Sequence, residues 1–99
     1  MVRIVDLAPG DELLGFMKLG YALRKQRNVA TGQLYRIVEP RATRFSYDDL
    51  SRWTGWVVSN DVANRVLYVE TQYMNRYTMA SGEKVFSQIP YLAIKQLRR

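Results

Sequence analysis

The 99 residues of this chain include no His and no Cys, so any chemistry must rest on carboxylates, Lys, Tyr and Arg. That composition removes thiolate and imidazole zinc sites, haem ligation, disulfide scaffolds and every His-dependent nucleophilic triad. The carboxylates become the main general acid–base candidates. They occur as sequence neighbours, Asp11-Glu12 and Asp48-Asp49. Adjacent side chains diverge on a helix and point to opposite faces of a strand, so neither pair converges on a substrate by local geometry. Both suit helix N-termini instead, where negative charge is stabilised.

Two other patterns fail on the same kind of test. Ser59 to Glu70 has oxygen ligands ending in Glu, but Ser59, Asp61, Ala63 and Asn64 occupy the positions where a calcium loop needs three oxygen donors and then Gly. That segment reads as a hairpin turn. Gly10, Gly15 and Gly20 do not sit in the strand–loop–helix setting of a dinucleotide or Walker site. No Gly-x-Ser-x-Gly elbow is present, and nothing singles out one Lys or Tyr. The expectation is a non-enzymatic domain with no metal and no cofactor.

What remains is cationic and aromatic. Lys and Arg number 15 against 9 acids, a formal net charge of +6, and 11 of the cations are Arg. Guanidinium binds phosphate bidentately and stacks on bases, whereas Lys acts as a point charge. The cations group as Arg24-Lys25-Arg27, Arg36-Arg41-Arg44 and Arg98-Arg99, and the second group lies beside Phe45, Tyr47, Arg52, Trp53 and Trp56. Arg interleaved with aromatics is the pattern of a surface that neutralises phosphates and stacks bases. The candidate site is therefore Arg36, Arg41, Arg44 and Arg52 for phosphate, with Tyr47 or Trp53 as stacking faces. Nucleic acid, single-stranded or RNA, is the expected partner. The alternative is a small protein-binding module, an adaptor or inhibitor of a larger complex, with the same residues as its hot spot. Plainer readings stand beside both: Arg24-Lys25-Arg27 as the charged end of a helix, Arg98-Arg99 as a solvated tail, and the Trp residues as core.

The elements that would position these residues belong to one domain, 1–99, since a chain of this length has room for a single core. Met1 to Leu7 alternates loosely as a short strand, ended by Pro9-Gly10. Asp11 to Gln26 reads as a helix, with Asp11 as N-cap and Leu13, Phe16, Leu19, Gly20 and Leu23 on one stripe. A strand opened by the Pro-Gly-Asp turn competes with it. Gln33 to Glu39 reads as a strand stopped by Pro40. Ser46 to Asp49 resembles a capping box opening a short helix through Trp53 that ends at Gly55. Trp56 to Ser59 and Arg65 to Tyr73 form one hairpin, and Asn75 to Met79 and Lys84 to Ile89 a second. Pro90 to Arg99 reads as a short helix with Pro90, Ala93, Ile94 and Leu97 on a stripe, a closing strand being the rival. The expected fold is α+β, a small antiparallel sheet of hairpins with an N-terminal and a short C-terminal helix. Its alternative is an all-β SH3-like or OB-like barrel. The core should join Leu67, Val69, Val85 and Ile89 to Leu13, Phe16 and Leu23. No segment reads as a secretory leader or a membrane span, and the absence of Cys suits a cytoplasmic, intracellular setting.

Overall fold

A computed structural model describes residues 2–18, 20–27, 34–40, 52–71 and 85–99. A 3-10 turn at Ile4–Asp6 precedes strands β1 (Glu12–Met17), β2 (Tyr21–Arg27), β3 (Leu34–Pro40), β4 (Arg52–Asp61), β5 (Val66–Thr71) and β6 (Val85–Pro90). A second 3-10 turn, Tyr91–Ala93, leads into β7 (Ile94–Arg98). The strands form one sheet in the order β2-β3-β6-β5-β4-β1-β7. Every pairing is antiparallel except that of β3 with β6. There is no α-helix among the described residues, so the α+β expectation is corrected to all-β.

The N-terminal helix expected over Asp11 to Gln26 is two strands. Along β1 the buried positions are Leu13, Gly15 and Met17, which is the two-residue period of a strand with one face on the core. Gly20, counted above on a helical stripe, takes φ +89 in the turn between β1 and β2. Two glycines already cost a helix here about 2 kcal/mol, and pairing of β1 with both β4 and β7 completes the argument against it.

The C-terminal helix is also a strand, and the bulge in it explains the misreading. Phe16 is opposite Gln96 while Met17 is opposite Ile94, so Lys95 is the extra residue. The bulge leaves Ile94 and Leu97 buried at a spacing of three, which imitates a helical stripe. Of the short helix expected from Ser46 to Trp53, only Arg52 and Trp53 are described, and both lie in β4. Met1 to Leu7, read as a strand, contains the first 3-10 turn.

The hairpin expected around Asn60 to Asn64 is β4 with β5. Its four-residue turn is held by Asp61, whose carboxylate accepts from the Asn64 backbone N–H at 3.1 Å and from its Nδ2 at 2.8 Å. The Lys84 to Ile89 strand is present as β6, paired with β5 and β3, while Asn75 to Met79 lies outside the described residues. Leu13, Leu67, Val69 and Ile89 are buried as expected. Phe16 is only half-buried on the other face, and the side chains of Val85 and Leu23 lie outside the description.

Short connectivity forces this sheet to curl. β1 and β2 are five steps apart in the sheet order, which in a flat sheet is roughly 24 Å. From Met17 to Tyr21 the chain can reach only about 14 Å. The sheet must therefore bend round, and the concave side is the core. The bend is barrel-like, but no pairing joins β2 to β7 among the described residues, so the SH3-like or OB-like closure is not formed there.

One contact across the concave face sets the size of a residue. Trp53 is opposite Gly15, and its indole lies directly on the glycine. A Cβ on Gly15 would stand 2.0 and 2.1 Å from Trp53 ring atoms, inside any van der Waals contact.

Candidate functional site

Arg52 and Trp53 are consecutive in β4, so their side chains leave opposite faces. Trp53 is 2% exposed and belongs to the core, the reading set beside its role as a stacking face. Its ring offers no surface to a partner in this fold. Arg52 is exposed on the convex face. Arg36 lies in β3, in register with Lys25 of β2 and Ser87 of β6. Arg41, Arg44 and Tyr47 lie outside the described residues. Of the six expected site residues, then, only Arg52 and Trp53 have described side chains, and these leave opposite faces of β4.

The convex face does assemble residues that sequence reasoning had placed elsewhere. Register sets Phe16 of β1 between Arg52 of β4 and Gln96 of β7, and Leu14 between Thr54 and Arg98. Cross-strand partners share a face, at a strand spacing of about 4.8 Å. Arg52, Phe16 and Arg98 therefore form one patch, with Phe16 half-buried and both cations exposed. Farther along β4, the half-buried indole of Trp56 donates from Nε1 to Glu12 Oε1 at 3.0 Å, which fixes the ring and occupies that carboxylate. Among the described residues neither Arg52 nor Arg98 is ion-paired, whereas Arg3 pairs with Asp6 and Arg99 with Asp11. The sequence pattern places Phe16 in the core and Arg98 in a solvated tail, whereas the sheet sets both on the convex face. The alternation of Leu13, Gly15 and Met17 is the signal that would have turned Phe16 outward.

A polar knot closes the other end of β4. Asn60 donates from Nδ2 to the carbonyl oxygens of Ile4 at 2.8 Å and Leu7 at 3.1 Å, and its Oδ1 accepts the Tyr91 hydroxyl. Desolvation raises the Tyr91 phenol above its ordinary range, against an opposing effect of that hydrogen bond. The hydrogen bonds from Asn64 hold Asp61 below the usual carboxylate value.

No family model, curated protein or solved structure matches this chain. Function must be argued from the surface itself. Among the described residues no group of His, Cys, Asp or Glu is placed to hold a metal ion, and no helix is long and apolar enough to cross a membrane. What the convex patch can do chemically is pair two guanidinium groups, neither ion-paired among the described residues, with anions while an aromatic ring between them stacks on a flat apolar group.

Proposed function

We propose that the domain binds single-stranded nucleic acid on its convex face. Arg52 and Arg98 contact phosphates, and Phe16 and Trp56 stack on bases. The observation that carries this reading is the placement of Phe16 directly opposite Arg52 on the face away from the core. Single-strand binders combine a cationic track with aromatic faces in this way. Arg41 and Arg44 precede Arg52 in the chain, and in this reading they extend the cationic track. Trp53, buried in the core, takes no part in it.

The test is a titration of labelled single- and double-stranded DNA and RNA at two salt concentrations. Replacing Arg52 and Arg98 together by Ala should flatten the log–log salt slope on single strands by roughly 1.4 units, since each phosphate contact contributes roughly 0.7. The Arg41→Ala/Arg44→Ala pair should act alike. Trp56→Leu should lower affinity by about 1–3 kcal/mol with the slope intact. Thermal melting of each variant separates lost binding from lost folding. Absence of binding at low salt, or binding unchanged in both Arg pairs, rules the reading out in favour of a protein-binding module.

A further inference from the structure

We propose that a second surface, at the end of the sheet carrying the β4–β5 turn, binds an extended acidic and apolar peptide segment of a partner protein. The surface is a groove of about 810 Å³ where the two 3-10 turns, the end of β1 and the β4–β5 turn meet. Four large apolar side chains stand out as exposed among the described residues, and three of them, Val5 at 43%, Val62 at 48% and Leu92 at 67%, line this one groove. Such convergence marks an interaction site, whereas singly scattered apolar residues would not.

Charge specifies the partner. Lys18 and Arg65 also line the groove, and among the described residues no carboxylate does. Neither cation has an ion-pair partner among the described residues. Of the acids nearest in sequence, Asp6 pairs with Arg3 at 3.7 Å, and Asp61 accepts from the amides of Asn64 within the turn. An apolar lining with two cations that have no ion-pair partner among the described residues complements a segment that alternates acidic and bulky apolar side chains.

Arg65 adds an independent sign. It is the one non-glycine residue with positive φ among those described, at 56°, where Gly or Asn would sit without the steric cost. Its N–H donates to the Val62 carbonyl at 3.3 Å, and its own carbonyl accepts the Tyr91 N–H at 2.9 Å, so the backbone is held there from both sides. A strained residue kept in place by its surroundings points to use of its side chain.

The form of the groove selects a peptide over other anions. It is open to solvent, whereas small-ligand sites enclose most of the ligand surface. Among the described residues Tyr91 is the only aromatic one lining it, with its hydroxyl committed to Asn60, so these residues offer no row of stacking faces for bases.

The experiment is selection of a random peptide library on the immobilised full chain, followed by titration of the enriched peptides against Arg65→Gly and Leu92→Ser. Arg65→Gly relieves the backbone conformation and should melt no lower than the wild type, and Leu92 is too exposed for its replacement to unfold the domain. Enriched peptides should combine Asp or Glu with bulky apolar residues, and should bind each variant roughly tenfold more weakly. Their affinity for the Arg52→Ala/Arg98→Ala pair should equal that for the wild type. The proposal is overturned by failure to enrich any peptide, by enriched peptides without acids, by affinity kept in both groove variants, or by affinity lost in the convex-face pair.

Discussion

Trp53 near the start of β4 and Asn60 near its end each tie the strand to a neighbouring segment, and they do so by opposite means. Trp53 lays its ring on Gly15, and its buried Nε1 has no hydrogen-bond partner among the described residues. Asn60 makes its contact through an amide that satisfies two carbonyls and a phenol. A buried unpaired donor costs about 1–3 kcal/mol. The indole is thus retained for area and shape in spite of its polar atom, while the amide is retained for its polar atoms alone. The dry contact tolerates no added atom on its partner. The polar contact can be dismantled one bond at a time.

The largest effect that would sharpen this contrast is Gly15→Ala. The new methyl has no room, the obstacle is a ring wedged in the core, and the expected loss is about 3 kcal/mol. Denaturant midpoints measure it, and adding Trp53→Leu should recover part of the loss in a double-mutant cycle. A loss under about 1 kcal/mol would mean that the ring moves freely, and the contrast would fail. Asn60→Ala should cost less, about 2 kcal/mol, because it leaves the Ile4 and Leu7 carbonyls and the Tyr91 hydroxyl without their partner. Tyr91→Phe should cost about 1 kcal/mol in the same assay, since it removes a single bond of the knot. If the two are equal, the phenol and not the amide holds this end.

The smallest expected effect is in alkaline solution. The phenol of Tyr91 is raised, so the folded protein keeps that proton when the unfolded chain releases it. Its contribution is complete below the ordinary Tyr value of about 10 and disappears as pH rises through the higher folded value. The stability difference between wild type and Tyr91→Phe should therefore be constant at neutral pH and begin to drift as pH rises past about 10. The difference between the phenolate absorbance titrations of the two proteins isolates this group, and a difference curve that titrates at or below the ordinary Tyr value of about 10 would refute the assignment.

Legibility in the sequence followed how local the signals were. The β4–β5 hairpin could be read because Asp61 and Asn64 define its turn within four residues and Val, Tyr and Thr flank it. β1 and β7 could not, because their evidence is long-range. β1 is a strand on account of partners in β4 and β7, and the spacing in β7 records a bulge that exists only against Phe16. At the candidate site, the cationic character of Arg52 was legible from composition. Its separation from Trp53 follows from strand parity, which the expected helix had hidden. The neighbourhood of Arg52, Phe16 and Arg98 depends on register across three strands, and no window of sequence contains it.

That same arrangement, with β1 held between β4 and β7, has a consequence for how the chain becomes a domain. Gly15 is the cross-strand partner of both Trp53 and Leu97, so β1 waits for a strand far downstream of it in the chain. Contacts of such high sequence separation make for slow, concerted folding, because loops must close before the contacts that reward closure can form. During synthesis, β1 would leave the ribosome as an extended segment with nothing to pair with. Until Ile94–Arg98 followed, one edge of it would stay open to other chains. The cations of β7 then do a second service, since Lys95 and Arg98 place charge along the final edge and discourage a further strand from adding there.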